Sequence, residues 1–217
     1  MLRGWPTLTP ELPALGAWAD YVGWLRDMTQ CLESFVVIGD SFGATVALAA
    51  AAARVRGLDG VVASGGFASN PLRLRAMQRM VRSGPHVGGR AYRYGVLPLH
   101  ARLLASRYDL AGDRPWKIRH TVGLFRRHTP AAAYWARAGA AVTGDLRPDL
   151  HRIAVPTLLI SPDDDHLIAP DSVEPLRAIV GVVETRLPQT GHMFRFSHPF
   201  VYGDTVRNFF VGRFANA

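Results

Sequence analysis

Residues 35–52, FVVIGDSFGATVALAAAA, join a β-branched run to an alanine-rich tract through a single serine set between two glycines. The first part reads as a short buried strand and the last as a helix, because branched side chains suit the pleated strand and alanine has the highest helix propensity. A serine at such a seam stands at a helix amino terminus, where free backbone N–H groups and the helix dipole favour a developing negative charge. A sharp strand-to-helix turn leaves no room for a Cβ two residues before and two residues after the serine, which are the positions of Gly39 and Gly43. The expectation is a turn that presents Ser41 as a nucleophile and aims the N–H of Phe42 at an oxyanion.

Upstream of this seam, Trp18, Tyr21, Val22, Leu25, Met28 and Leu32 recur at steps of three and four, so residues 16–33 read as a helix. Downstream, Gly57 is the expected close of the alanine helix, and LDGVVASGG gives a second strand ending in glycines. Residues 69–150 are rich in arginine, alanine and aromatics at helical spacing. They are punctuated by Pro71, Pro85, Pro98, Pro115, Pro130 and Pro148, the pattern of several short helices without strands. Strand character returns at IAVPTLLISPDDDHLIAP, followed by a helix over about 171–180, a strand at GVVETRLP and a final helix over about 199–214. Strands alternating with helices imply a mostly parallel sheet covered by helices on both faces. Ligands in such sheets gather at the carboxyl ends of the strands.

Composition narrows what the serine could do. The chain has 217 residues, 48% of them hydrophobic, enough for one substantial core. The uncharged run from Ser41 to Ala53 is shorter than the roughly 20 residues a membrane helix needs. Prolines at 6, 10 and 13 interrupt the segment where a secretory signal would be apolar. The single cysteine, Cys31, cannot form an internal disulfide, has no histidine close in sequence, and is expected to be a small buried or half-buried residue. These features together predict a cytoplasmic chain with no membrane span.

The net charge of +8 is unevenly placed. Residues 69–150 hold fourteen arginines and Lys117 against four aspartates, a net +11, and the rest of the chain is slightly acidic. No zinc-finger spacing, RNP-like aromatic motif or lysine-rich arm accompanies this charge, which argues against nucleic acid as the partner. The aromatics of the same stretch, Tyr92, Tyr94, Tyr108, Trp116, Phe125, Tyr134 and Trp135, read as buried helix faces. An anionic substrate, an acidic partner surface or a plain solvated face would each account for the basic charge.

A serine hydroxyl becomes a useful nucleophile only when a base takes its proton and a third group orients that base. For a strand-turn-helix serine the expected chain order is serine, acid, histidine, with each later member at the end of a later strand. TLLISPDDDHL ends a strand with Asp163, Asp164 and Asp165, and VVETRLPQTGHMF follows the next strand with His192. The aspartate run could also be a solvated loop, or a metal site together with His166, although no second ligand cluster accompanies it. His151, His166 and His198 lie outside the strand-end setting, and Asp40 is not where a nucleophile would stand.

The segments GDSFG, PTLLISPDDDHLIAP and LPQTGHMFRFSHP resemble those of α/β-hydrolase-fold serine hydrolases of esterase and lipase type. The resemblance implies an α/β-hydrolase core built from residues 1–68 and 151–217 and a helical cap or lid over 69–150. It also implies that Asp165, just before an aliphatic pair, is the acid of the triad, with Ser41 as nucleophile and His192 as base. Relatives carry three or four further strands before the first helix, together with a His-Gly loop that supplies a second oxyanion donor. Residues 1–15 resemble only the Gly-rich loop after those strands, so an N-terminally truncated fold is expected. Its uncovered sheet edge invites a second copy or another partner. The implied function is hydrolysis of a carboxylic ester or related small-molecule acyl compound, without metal or organic cofactor. The alternative is an impaired remnant that binds without turnover.

Overall fold

Alternation of apolar side chains along the strands decides the layering of this molecule. In the computed structural model, which describes residues 6–86, 89–105, 108 and 113–214, four strands form one parallel sheet in chain order. They are β1 (Phe35–Asp40), β2 (Leu58–Ser64), β3 (Thr157–Asp164) and β4 (Val183–Gly191). Successive residues point to opposite faces. Val61 and Ala63 of β2 and Leu159 of β3 enter one core, while Val62, Leu158 and Ile160 enter the other. Both faces are therefore apolar, as a parallel sheet covered on both sides requires.

Helices α1 (Trp18–Thr29) and α2 (Phe42–Ala52) cover the first face. All residues of α2 from Ala44 to Ala52 are buried. A helix apolar on every side has to be enclosed, and its small side chains pack against α1, β1 and β2. Between β2 and β3 lie α3 (Arg75–Ser83), α4 (Gly89–Ala91), a π-helical turn at Tyr92–Val96, α5 (Leu97–Leu104), α6 (Asp113–His128) and α7 (Ala131–Thr143). Val81, Tyr92, Val96, Leu97, Trp135 and Val142 form a separate small core among them. After β3 come α8 (Pro170–Val173), then β4, α9 (Phe194–Ser197) and α10 (Pro199–Phe214). Val206, Phe209 and Phe210 of α10 close the second face.

Several local expectations need correction. The alanine helix closes at Arg54, not Gly57. Arg54 takes φ 52°, and its N–H and that of Val55 bond the carbonyls of Ala51 and Ala50 at 3.0 and 3.1 Å, the reciprocal pair of a Schellman cap. The helix expected over 171–180 is instead the short α8 followed by a 3-10 turn at Glu174–Ala178. Pro175 lacks an N–H and its ring crowds the carbonyl four residues earlier, so an α-helix cannot continue through it. Cys31 is exposed, because it lies in the turn beyond the last buried residue of α1, Thr29. Of the aromatics expected on buried faces, Tyr92 and Trp135 are buried, whereas Tyr94 and Trp116 are 71% and 58% exposed. Residues 1–5, part of the segment compared with the Gly-rich loop, lie outside the described residues.

Candidate active site

The turn after β1 is built from backbone before any side chain matters. Ser41 takes φ 54° and ψ −119°, a conformation that L-residues adopt only when the surroundings force it. Its N–H donates to the Ser64 carbonyl at 2.7 Å, which ties the turn to the end of β2. A Cβ on Gly39 would stand 2.3 Å from the Gly43 carbonyl oxygen, so only glycine fits there. Gly43 differs from expectation: the nearest atom to a Cβ on it is Leu12 Cδ1 at 4.0 Å. The crowding is one-sided, because the backbone of Gly43 itself fills the space beside Gly39. Phe42 opens α2, and as the first helical residue its N–H has no acceptor within the helix.

The three aspartates at the end of β3 go to three different places. Asp163 accepts the N–H groups of Gln189 and Thr190 at 2.9 and 3.1 Å, and so fixes the loop that leads to His192. Asp164 is buried and lies 3.4 Å from His166 Nε2. Asp165 turns to the site. Its Oδ2 meets His192 Nδ1 at 2.7 Å, and its Oδ1 accepts the N–H groups of Leu167 and Ile168 at 2.9 Å each. His192 Nε2 then lies 2.9 Å from Ser41 Oγ. Ser41, His192 and Asp165 are thus in one hydrogen-bonded line. His151 and His198 are elsewhere, the latter bonded to Ser197 at 2.9 Å.

Proton positions follow from the partners. Burial pushes the Asp165 carboxyl up, but His192 and the two backbone N–H donors outweigh it and hold the pKa below the ordinary carboxylate range. An ionised carboxylate can only accept, so His192 Nδ1 carries the proton, and in the neutral ring Nε2 is left to accept from the serine hydroxyl. Burial disfavours the His192 imidazolium, but the Asp165 charge more than compensates and its pKa is raised. Gly65, at φ +60° after β2, brings the chain so close that a Cβ there would be 3.2 Å from His192 Cε1. Asp40 pairs with Arg195 at 3.3 Å, and burial raises its pKa.

Ser41, at one end of this line, opens on a cavity of about 270 Å³. Leu12, Phe42, Phe67, Leu72, Met77, Met80, Phe125, Leu167 and Ile168 give it an apolar wall, and His100, Thr129, Tyr134 and Arg137 add polar groups. His100 Nδ1 lies 3.1 Å from the Tyr134 hydroxyl. Burial, with a smaller contribution from the His192 charge, lowers the His100 pKa to about 4, so its ring is neutral at pH 7. Nothing in the local sequence marks His100, Arg137 or Gly65, and the roles of Asp163 and Asp164 are hidden in a run of identical residues. Among the described residues no group of three His, Cys, Asp or Glu side chains could hold a metal ion. No helix among them is long and apolar enough to cross a membrane.

Solved structures share this fold at low identity. An alpha/beta hydrolase enzyme from a Medee basin deep-sea metagenome library matches with 21% identity and a TM-score of 0.76, over 93% of this chain and 74% of its own. The enol-lactonase from Burkholderia xenovorans LB400 matches with 22% identity and a TM-score of 0.75, over 93% and 76%. A thermophilic esterase from Thermogutta terrifontis matches with 20% identity and a TM-score of 0.71, over 92% and 74%. No curated protein matches the sequence. The sequence profile of the Alpha/beta hydrolase family covers residues 2–204, and with its parallel sheet and the helices between β2 and β3 this chain belongs to that family.

Proposed function

We propose that this chain hydrolyses a carboxylic ester or related acyl compound through an acyl-serine intermediate on Ser41. The observation that carries the reading is the unbroken line Ser41–His192–Asp165, at 2.9 and 2.7 Å, whose Ser41 end lines an apolar cavity. Ser41 Oγ attacks the acyl carbon as its proton passes to His192 Nε2. The carbonyl oxygen takes up the negative charge and is met by the N–H of Phe42. Collapse of this adduct expels the alcohol, which takes the proton from His192. Water then attacks the acyl-serine, His192 removes its proton, and the acid leaves as Ser41 regains its hydrogen. Asp165 holds the imidazole in the required tautomer and stabilises the transient imidazolium.

The cap assignment belongs to the same proposal. Helices within 69–150 supply much of the cavity wall, so they set which acyl group fits. A volume of about 270 Å³ suits a small to medium substrate.

Intact-mass detection of a fluorophosphonate adduct tests the reading. The expected result is one adduct on the purified chain and none on Ser41→Ala. Absence of an adduct on folded protein would overturn it and leave a chain that binds without turnover.

A further inference from the structure

The basic charge of residues 69–150 sorts by position once the fold is known. Among the arginines in this stretch whose side chains are described, all but one are exposed. The exception is Arg137 of α7, which is half-buried and lines the cavity that contains Ser41. Its guanidinium reaches neutral partners: the Leu12 carbonyl, the Pro13 carbonyl at 3.5 Å and the Tyr21 hydroxyl. Tyr21 is itself occupied, donating to Pro13 O at 3.0 Å and accepting the Leu15 N–H at 3.2 Å. Among the described residues no carboxylate is paired with Arg137. The acidic side chain on the cavity wall, Asp40, is taken by Arg195.

A cation withdrawn from water is normally matched by a carboxylate, since dipoles repay only part of its lost hydration. In a partly apolar cavity its field is also screened less than at the surface. Nε and one Nη of Arg137 already donate to the Pro13 and Leu12 carbonyls, but a guanidinium has five N–H donors, and those that remain can donate to a carboxylate. We infer that Arg137 selects substrates that carry a carboxylate besides the scissile acyl bond. The inference rests on the proposed reaction at Ser41 and names the substrate class of that site. The exposed arginines of the cap take no part in this choice.

Matched esters test it. One pair places the charge on the acyl side, mono(4-nitrophenyl) glutarate against 4-nitrophenyl pentanoate. The other places it on the leaving group, 4-acetoxybenzoate against phenyl acetate. The expected result is an anionic-to-neutral ratio of kcat/KM that drops about 10- to 100-fold in Arg137→Gln for at least one pair, the range for a charge-assisted hydrogen bond. Arg137→Lys is expected to restore part of it. Ratios that are equal in wild type and Arg137→Gln for both pairs overturn the inference. So does a variant that only melts earlier, which would make Arg137 a strap on the 12–13 loop.

If the neutral esters are hydrolysed in a Ser41-dependent way and the ratios do not move, only this inference fails. If no ester is hydrolysed and no fluorophosphonate adduct forms, the proposed reaction fails instead. Thermal shifts with glutarate and glutaramide then decide on Arg137 alone. A larger shift with glutarate that disappears in Arg137→Gln supports the anion site, and equal shifts overturn it.

Discussion

At the carboxyl ends of β1, β3 and β4 the side chains that converge are fixed by the main chain. The Ser41 turn is tied to Ser64, the Asp165 carboxylate is held by two N–H groups, and the loop before His192 is held by Asp163. The helices between β2 and β3 are held in another way. Tyr92, Trp135, Leu97 and Val142 pack side chain against side chain, and Tyr92, Tyr134 and Trp135 meet at tilted or edge-on ring angles. Backbone geometry repeats wherever the same turn is needed, so it leaves a short local pattern in the sequence. Side-chain packing has many solutions and leaves almost none. The proposed chemistry therefore sits in the region that a motif can reveal, and the proposed selectivity sits in the region that it cannot.

The largest difference between the two regions should come from Asp165→Asn. Loss of the carboxylate frees His192 to adopt the wrong tautomer, and kcat/KM on a neutral ester is expected to fall about 10²- to 10⁴-fold. The pH profile carries a second signature. The proposed base must be neutral, and Asp165 holds its pKa above the ordinary histidine value, so activity in the wild type should fall as pH drops through that raised pKa. Without the carboxylate, only the weaker pull of the Asp40 charge opposes burial of the imidazole, and the inflection should move to lower pH. A variant with reduced activity and an unmoved inflection would separate Asp165 from the titration of His192.

How far the sequence could be read follows the same division. The four strands, the seam at Ser41 and the convergence of Ser41, His192 and one of three aspartates were legible, because short continuous apolar runs bounded by turn residues and glycine at a strained turn have few alternatives. Selecting Asp165 needed the family resemblance, since three identical neighbours carry no local distinction. Their separate tasks depend on which way each side chain leaves the end of β3. Helix ends were less legible. Arg54 closes α2 in a conformation expected of the nearby Gly57, and Pro175 turns an expected helix into a 3-10 segment. Arg137 was one of fourteen arginines in a stretch where charge could be counted but not located.

The two glycines of the seam sharpen the comparison within the backbone-fixed region. Gly39→Ala would drive a Cβ into the Gly43 carbonyl at 2.3 Å, against Gly43–Ala44 backbone with no flexible group to yield. Its expected cost is about 3 kcal/mol or more, the range for strong overpacking. Gly43→Ala meets nothing closer than 4.0 Å and gains helix propensity, so its stability should stay within about 1 kcal/mol of wild type. Urea unfolding of both variants checks this. Equal losses would restore the two-sided crowding expected from the sequence.

The smallest expected effects lie in the side-chain-packed region, where two aromatic replacements should differ. Tyr92 donates its hydroxyl to the Thr129 carbonyl at 2.9 Å, and burial pushes its pKa to about 12. Tyr92→Phe removes the donor and keeps the ring, so a loss of about 1 kcal/mol is expected. Trp135 Nε1 is buried with no hydrogen-bond partner among the described residues. Trp135→Phe gives up ring contacts beside Gly84, where a Cβ would lie 2.1 Å from the indole, but it also removes an unsatisfied donor whose burial costs about 1–3 kcal/mol. These terms oppose each other, and the larger truncation should therefore cost no more than the smaller one. A Trp135→Phe loss of several kcal/mol in urea unfolding would mean that ring packing alone decides this cluster. A loss below that of Tyr92→Phe would mean that polar satisfaction governs the helices between β2 and β3 as closely as it governs the loops at the strand ends.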